Sequence, residues 1–222
     1  AGFGEQAVLG IAVLVDERAQ GFDGGERTGG EGLHCGDAVL QRRGQFYSRS
    51  GLNLIRFFPT GEVDVEPVII APETYEKLQD NLLLFYTGTT RSASKVLNDQ
   101  KNNLINDPSK FDILAQMTEL TEKAKNYLFE SNLNSFGKIL DENWKLKRSL
   151  SNKISNCDID DLYTLAKNNG ALGGKILGAG GGGFFLFYCE PEKKENLCLA
   201  LKQLREIKFM FDISGTKRIN VD

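Results

Sequence analysis

The sequence has few of the residues that metal and nucleophilic sites need. It contains a single histidine, His34, and no CxxC pair among its four cysteines, which are Cys35, Cys157, Cys189 and Cys198. One histidine excludes most zinc sites and Ser-His-Asp arrangements. We interpret His34, in a glycine-rich polar stretch, as a solvated loop residue. The scattered cysteines predict reduced thiols in a cytoplasmic protein.

Long apolar runs and an excess of positive charge are also missing. No stretch reaches the roughly 20 apolar residues of a membrane-spanning helix, and no secretory signal pattern opens the chain. The net charge of −3 argues against nucleic acid as principal partner. A length of 222 residues with 41% apolar and 26% charged residues predicts one large or two modest globular domains.

The first fifty residues lack lysine, asparagine and proline, whereas all seventeen lysines follow them. The same segment holds eleven of the 24 glycines. So abrupt a shift in composition is typical of a domain boundary, a tag or a basic disordered arm. A slip of reading frame would also remove residues with A/T-rich codons together. We hypothesise that much of 1–50 is out of frame or otherwise foreign sequence.

From residue 51 the pattern predicts regular structure. Two apolar, β-rich runs, Leu52–Phe58 and Val63–Ile70, predict a hairpin. A helix is expected from Pro72, a buried strand over Leu82–Tyr86, and then a helical stretch to about Leu104. This hairpin, without an intact N-terminal layer, is expected to leave an apolar face uncovered, which predicts association between copies.

Three further helices are predicted in the middle of the chain. Asp107-Pro108 is expected to supply the N-cap and first helical residue of one. Asn168-Asn169-Gly170 is expected to end another that starts near Asp158. Apolar residues at helical spacing give the core faces of the first and second, and they are Phe111, Leu114, Met117, Leu120, Ala124 and Tyr127, then Phe136, Ile139, Leu140 and Trp144.

The last fifty residues mix strands with a helix. Strands are predicted at Lys175–Leu177, Phe184–Cys189, Phe209–Ile213 and Arg218–Val221, with a helix from Pro191 to about Arg205. Strands and helices in this arrangement, with antiparallel connections, place the chain in the α+β class.

The most informative motif is the run Gly178-Ala179-Gly180-Gly181-Gly182-Gly183. It satisfies GxGxxG, but a strand is expected to follow it, whereas the dinucleotide fingerprint requires a helix. It is not a Walker A loop, since no Gly-Lys-Ser/Thr closes it. A tight strand connection is one explanation. Because four consecutive glycines exceed what a turn needs, we favour a phosphate-facing loop of backbone N–H groups.

A second candidate is the run Thr87-Gly88-Thr89-Thr90-Arg91-Ser92 between a predicted strand and helix. Hydroxyls, a flexible glycine and the Arg91 guanidinium at a helix N-terminus suit a phosphate or carboxylate. An N-cap followed by a solvated arginine fits the spacing equally well.

These motifs resemble the GHMP sugar kinases, and within that family the heptose 7-phosphate kinases. Four segments carry the resemblance, and they are GLNLIRFF (51–58), LLLFYTGTTRSASKVLNDQ (82–100), ENWKLKRSLSNKISNCDIDDLYTLAKNNGALGGKILGAGGGGFFLFYC (142–189) and FDISGTKRI (211–219). The glycine run is similar to the family's third conserved motif, which lines the active site.

The resemblance implies a GHMP kinase-like fold. It divides the chain into an atypical segment 1–50, a remnant of an N-terminal domain related to ribosomal protein S5 over 51–88, and a C-terminal ferredoxin-like domain over 89–222. It also implies ATP and Mg²⁺ as cofactors, and phosphoryl transfer to the anomeric hydroxyl of a heptose 7-phosphate in nucleotide-sugar biosynthesis. The loop 178–183 and Arg91 would then orient phosphates or sugar, while Lys145 and Lys147 are either a source of positive potential or solvated helix charges.

The sequence departs from the family pattern before residue 51. Where the family has a serine-rich ATP loop, this chain has Gly2-Phe3-Gly4-Glu5-Gln6-Ala7, with a carboxylate where phosphate would sit. Where the family's catalytic aspartate is expected, the chain has Arg43, which cannot act as a base. The catalytic residue is therefore not assigned. Two hypotheses stay open, a sugar kinase whose activity is impaired and a non-catalytic module that binds a phosphosugar or nucleotide.

Overall fold

The computed structural model describes residues 10–12, 51–57, 63–89, 93–178 and 180–211. Its strands are β1 Gly10–Ala12, β2 Asn53–Phe57, β3 Val63–Pro67, β4 Leu82–Tyr86, β5 Ala171–Ile176, β6 Phe184–Cys189 and β7 Arg205–Ile207. Its helices are α1 Pro72–Asn81, α2 Ala93–Asn106, α3 Lys110–Phe129, α4 Leu133–Leu150, α5 Cys157–Asn168 and α6 Lys194–Ala200, with a short 3₁₀ turn at Pro191–Lys193.

Four strands form one antiparallel sheet in the order β5-β6-β4-β7. Helices α2 to α5 connect β4 to β5, a hairpin joins β5 to β6, and the 3₁₀ turn with α6 leads from β6 to β7. The chain order βαββαβ, with the first and third strands in the middle, is the ferredoxin-like arrangement. The predicted α+β class and ferredoxin-like C-terminal domain are therefore confirmed.

The main core lies between this sheet and helices α4 and α5. Phe185 and Phe187 of β6 are fully buried, with ring centroids 4.9 Å apart. Trp144 of α4 meets Phe185 edge-on, and Tyr163 of α5 contacts both rings of β6. Large aromatic side chains bury the most area per residue. They fix α4 and α5 against the sheet and thereby set the position of the loop between β5 and β6.

A second core joins the hairpin β2–β3 to helix α3. The two strands pair antiparallel, and β1 adds a third strand beside β2. Leu52, Leu54 and Val68 pack in one cluster with Leu120 and Leu128 of α3. Ile55 is buried as well. The expected uncovered apolar face of the hairpin is therefore wrong for Leu52, Leu54 and Val68, because α3 supplies their covering layer, whereas Ile69 is 80% exposed. Association between copies stays a prediction.

The pairing of β4 bears on where the C-terminal unit begins. Leu82–Tyr86 pairs with β6 on one side and β7 on the other, in the middle of the four-stranded sheet. A boundary at residue 88 would separate this strand from both neighbours, so the sheet includes residues assigned above to 51–88. The hypothesis about 1–50 concerns residues that lie, apart from β1, outside the described part of the chain.

Helix α3 starts later than the sequence predicts. Its first residue is Lys110 and its N-cap position is Ser109, rather than Pro108 and Asp107. Asp107 Oδ1 nevertheless accepts hydrogen bonds from the Ser109 backbone N–H at 3.1 Å and its hydroxyl at 2.6 Å. The aspartate therefore closes a turn that precedes the helix.

The C-terminal elements also differ from the prediction. The last helix ends at Ala200, and β7 occupies Arg205–Ile207, which lies before the strand predicted at Phe209–Ile213, whose last two residues are outside the described part of the chain. Phe211 packs edge-on against Tyr75 at 5.0 Å, and its N–H donates to Gln79 Oε1 at 2.8 Å. Its apolar ring therefore packs in the second core. The strand predicted at 218–221 lies outside the described residues.

None of the helices in the described ranges is long and apolar enough to cross a membrane.

Candidate functional site

The glycine loop connects β5 to β6 and is bounded by a hydrogen bond from Leu177 N to Phe184 O at 2.9 Å. Strand β6 follows it directly, which confirms that this is not a dinucleotide-binding strand–loop–helix turn. Five of its glycines have positive φ, and they are Gly178, Gly180, Gly181, Gly182 and Gly183. Ala179 lies outside the described residues.

Two of these glycines are required by close neighbours. A Cβ at Gly180 would lie 2.8 Å from the carbonyl oxygen of Ile154, and a Cβ at Gly182 would lie 2.7 Å from that of Thr89. Their φ angles of +104° and +151° also disfavour any side chain. The loop is therefore held between two walls, one formed by the 87–89 segment and the other by the connection between α4 and α5.

The loop uses part of its own N–H groups to hold this position. Gly181 N donates to Ile154 O at 2.8 Å, and Gly183 N donates to Thr89 O at 2.7 Å. These two amides point at protein carbonyls rather than at an open cleft, which corrects the expectation that the whole run presents its N–H groups to a ligand. Gly180 to Gly182 are buried, whereas Gly178 is exposed and Gly183 is half-buried. A ligand would reach the loop at those two ends.

The structure brings the second candidate segment against the first. Thr87 donates to the Gly183 carbonyl twice, from its backbone N–H and from its hydroxyl, both at 2.9 Å. The hydroxyls of Thr87 and Thr89 lie 3.3 Å apart. Gly88, between them, is exposed and has open space where a Cβ would be. Arg91 lies outside the described residues, so its place relative to the loop stays a prediction.

The two lysines of helix α4 have different surroundings. Lys147 Nζ donates to the Gly178 carbonyl at 2.6 Å, so its charge lies at the exposed end of the loop. Lys145 instead forms an ion pair with Asp141 at 2.7 Å and is mostly solvated. The solvated-charge alternative therefore describes Lys145 but not Lys147. Lys147 follows the buried Trp144 by three positions, so helical spacing already places Lys147 and Trp144 on the same side of α4.

Sequence patterns do not predict the wall formed by the connection between α4 and α5. Ile154 is fully buried there, and its carbonyl accepts the Gly181 hydrogen bond. Nothing local marks an isoleucine in a polar stretch as the partner of Gly181, 27 residues later. The contact depends on tertiary packing of α4 and α5 on the sheet.

The described donors suit an anion better than a cation. Threonine hydroxyls, the loop N–H groups other than those of Gly181 and Gly183, and the Lys147 ammonium are able to donate to phosphate or sugar oxygens. Within the described ranges, no group of three or more His, Cys, Asp or Glu could hold a metal ion. The described walls of the loop therefore fit a phosphate or sugar but supply no carboxylate cage for Mg²⁺.

Comparison with known proteins now adds to this geometry. Residues 124–206, from α3 through β7, match the family described as GHMP kinases C terminal. The chain carries a GHMP kinase C-terminal domain. The resemblance inferred from the sequence is thereby confirmed, and the glycine loop lies inside the matched region.

Individual relatives agree with this assignment. The chain is 32% identical over 167 residues to the D-glycero-alpha-D-manno-heptose 7-phosphate kinase of Campylobacter jejuni, covering 75% of this chain and 48% of that protein. It is 28% identical over 209 residues to the bifunctional fucokinase/GDP-fucose pyrophosphorylase of Arabidopsis thaliana, covering 90% of this chain and 18% of that protein. Because the second alignment covers 90% of the chain, it includes residues before position 51. The origin of 1–50 nevertheless stays a hypothesis.

A solved structure supports the fold. The mevalonate kinase of L. major in complex with R-mevalonate superposes with a TM-score of 0.58 and 23% identity, over 69% of this chain and 45% of that one. The chain spans 48% of its heptose 7-phosphate kinase relative and 45% of this GHMP-fold structure. The chain therefore spans about half the length of these relatives.

Proposed function

We propose that the chain is part of a sugar kinase that transfers the γ-phosphoryl group of ATP to the anomeric hydroxyl of a heptose 7-phosphate. The 32% identity to a heptose 7-phosphate kinase supports the choice of sugar. The observation that carries the proposal is the glycine loop, clamped between Thr89 and Ile154 with Lys147 at its exposed end.

In this proposal the loop and its neighbours hold the phosphorylated sugar. Gly178 and Gly183 present the accessible ends of the loop, Thr87 and Gly88 line one side, and Lys147 offsets negative charge. Phosphoryl transfer depends mostly on positioning and charge neutralisation, so a rigid cradle of donors is a sufficient contribution from this domain. Gly180, Gly181 and Gly182 contribute by keeping the cradle narrow.

ATP would bind with Mg²⁺, which neutralises charge on the transferred phosphoryl group. The described residues that line the loop offer this pair hydroxyl, amide and ammonium donors, so they would contact phosphate oxygens and not the metal. Arg91 and Ala179 belong to the same proposed anion-binding set by their place in sequence.

A non-catalytic module that binds a phosphosugar or nucleotide is the second candidate. It is favoured by Arg43 at the position expected for the catalytic aspartate, and by Glu5 where ATP phosphates would be expected. Arginine stays protonated and cannot accept the proton of the sugar hydroxyl. Under this alternative the cradle binds its ligand but no phosphoryl group is transferred.

Calorimetric titration with D-glycero-D-manno-heptose 7-phosphate tests the binding part of both candidates. Lys147→Met is expected to weaken binding about tenfold, the effect of losing one charge-assisted interaction. Lys138→Met, an exposed lysine earlier on the same helix, is the matched control and is expected to bind as the parent does. No binding by the parent, or equal binding by both variants, would contradict the proposed role of the cradle.

A coupled assay of ADP release separates the two candidates. The proteins are supplied with ATP, Mg²⁺ and heptose 7-phosphate, and product is identified by mass. Turnover supports the kinase, whereas binding without turnover supports the module. The remaining proposals are small-molecule partners without nucleic acid or membrane, association into a homo-oligomer, and cytoplasmic localisation. Light scattering of the same preparations tests the association.

A further inference from the structure

The wall that holds the Gly181 amide is itself held from outside the loop. Ile154 N donates to Ser151 O at 3.1 Å, which closes residues 151–154 into a turn directly after α4. Ile154 is fully buried and Ser151 is 3% exposed. The carbonyl that receives the Gly181 hydrogen bond is therefore only as well placed as this turn.

Asp99, on helix α2, is the residue that fixes the turn. Its Oδ2 accepts a hydrogen bond from the Ser151 hydroxyl at 2.5 Å, and its Oδ1 accepts one from Lys153 Nζ at 2.6 Å. Lys153 N in turn donates to Ser151 Oγ at 3.1 Å. One carboxylate therefore binds both ends of the three-residue stretch that precedes Ile154. A charged acceptor makes these bonds stronger than those between neutral groups.

Helix α2, which carries Asp99, is held in place by packing and by a further hydrogen bond. Val96 is buried in the main core, and Asn103 Nδ2 donates to Leu150 O at 3.0 Å. Asp99 and Asn103 lie four residues apart, so they occupy one face of the helix. Both bind the end of α4 or the turn beyond it, and the core contact of Val96 keeps the helix from moving away.

In the chain, helix α2 comes directly after the 87–89 segment, which forms the other wall of the loop. Thr87 and Thr89, which hold Gly183, precede α2 in the chain by only a few residues. One wall of the loop thus leads into the N-terminus of α2, and the opposite wall is bound by Asp99 in the middle of it. The distance between the walls depends on the contact of this helix with the 151–154 turn.

We infer that Asp99 is a positioning residue for the glycine loop. It fixes Ser151 and the turn, the turn fixes the Ile154 carbonyl, and that carbonyl fixes Gly181. Asp99 lies on α2, and among the described residues its side chain acts through Ser151 and Lys153. The consequence for ligand affinity rests on the proposed function, whereas the consequence for the loop does not.

The two contacts of Asp99, with Lys153 and with Ser151, are expected to contribute differently to the stability of the turn. The Lys153 side chain is 56% exposed, so its ion pair with Asp99 is screened by solvent and contributes little. Ser151 is buried, and its hydroxyl and the carboxylate oxygen lose a partner in a shielded place when either is removed. Substitution of Ser151 should therefore affect the loop more than substitution of Lys153.

Hydrogen exchange of individual amides, followed by NMR on the full chain, tests the inference. In Asp99→Ala and Ser151→Ala, exchange of the Gly181 amide is expected to accelerate about tenfold, as for loss of one charge-assisted hydrogen bond. The Gly183 amide, bound to Thr89, is expected to change much less. Lys153→Met should have a small effect, and Asn102→Ala, at an exposed position on the same helix, should have none.

A role limited to general stability would accelerate both amides and the buried amides of β6 together, and that result would overturn the inference. Unchanged Gly181 exchange in Ser151→Ala would do the same. If Asp99→Ala does not fold, the isosteric Asp99→Asn and Ser151→Ala carry the test, because each retains the helix and changes the contact.

Titration of the same variants with heptose 7-phosphate gives the second readout. Weaker binding by Asp99→Ala and Ser151→Ala, with normal binding by Asn102→Ala, supports the link from the turn to the ligand. A parent chain that shows the site-specific exchange effects but binds no phosphosugar would leave the positioning role standing and contradict the proposed function. Full affinity in variants with a loosened loop would overturn the link to the ligand.

Discussion

Tyr163 donates its hydroxyl hydrogen to Asp141 Oδ1 at 2.6 Å, and this bond joins helix α5 to helix α4 inside the core. Asp141 also pairs with Lys145 at 2.7 Å and with Lys167 at 3.5 Å. Burial alone would raise the pKa of Asp141, but the hydrogen bonds from Lys145 and Tyr163 outweigh it and hold that pKa below its usual value. Burial, together with the bond to Asp141, raises the pKa of Tyr163. The pair therefore stays a neutral donor and a charged acceptor.

Removal of the Tyr163 hydroxyl should destabilise the protein without disturbing the aromatic packing. Tyr163→Phe keeps the ring against Trp144 and Phe185 but leaves a buried carboxylate with one donor fewer. We expect a loss of about 1–3 kcal/mol in the free energy of unfolding. Urea denaturation measures it, with Tyr127→Phe on the half-buried side of α3 as control. Equal stability of Tyr163→Phe and the parent would show that the bond is dispensable.

The Asp141 carboxylate should also determine part of the acid sensitivity. Its pKa is lowered in the folded chain, so the unfolded chain binds more protons between the folded value and about 3.9. The stabilisation is present above the unfolded pKa and is lost as pH falls through the folded pKa. Asp141→Asn should therefore lose less stability than the parent between about pH 5 and about pH 2. Urea midpoints that decline in parallel would contradict this.

Local sequence patterns predicted an element correctly where a single apolar run or a single end signal defines it. The apolar runs of β4 and β6 were predicted at their observed bounds, and the start of α1 at Pro72 was predicted from the same kind of signal. The end of α5 at Asn168, followed by Asn169 and Gly170, is also as predicted. In each case the signal lies within the element itself.

Strand β5 shows why other elements were missed. It begins at Ala171, four residues before the predicted start, and contains Gly173 and Gly174, which disfavour a strand by propensity. A Cβ at Gly173 would lie 2.1 Å from the carbonyl oxygen of Gly137 on α4. The glycines are there because the helix backbone lies directly on the strand, a contact that no local pattern records. The roles of Ile154 and Asp99 were missed for the same reason, whereas Lys147 was named but not distinguished from Lys145.

The two walls of the glycine loop predict a graded response to added side chains. Gly182→Ala places a methyl group 2.7 Å from the Thr89 carbonyl, whereas Gly178→Ala meets open space. Both have positive φ, which costs about 1–2 kcal/mol for alanine at Gly178 (φ +77°) and more at Gly182 (φ +151°), in a backbone region that is essentially confined to glycine. The clash should add about 1–3 kcal/mol at Gly182 alone. Denaturant unfolding of the two variants measures the difference, and equal losses would mean that Thr89 yields freely.

An ion network between the hairpin and α3 should respond to geometry as well as charge. Arg56 Nε and Nη2 bind Glu122 at 3.1 and 2.9 Å, while Nη1 binds Glu66 at 2.8 Å and Asp64 at 3.1 Å. Lysine cannot supply this fork, so Arg56→Lys should lose about 0.5–1 kcal/mol. The loss should shrink in about 1 M salt. Denaturation with Lys123→Arg as the surface control tests it, and a salt-independent loss would point to packing instead.

Thiol reactivity provides a test of the sheet that does not depend on any ligand. Cys189, the last residue of β6, is fully buried and its thiol donates to Gly170 O at 3.4 Å. Burial raises its pKa to about 11, so very little thiolate forms near neutral pH. Cys157, at the start of α5, is exposed. A maleimide should therefore label Cys157 long before Cys189 in the native protein.

Peptide mapping by mass spectrometry at successive times follows the two cysteines separately. In denaturing urea the two rates are expected to converge, because unfolding removes the burial that distinguishes them. Cys157→Ser is the control that assigns the fast reaction and should leave the slow labelling of Cys189 unchanged. Fast native labelling of Cys189 would mean that the end of β6 opens readily. The sheet that supports the glycine loop would then lack the rigidity that a phosphate cradle requires.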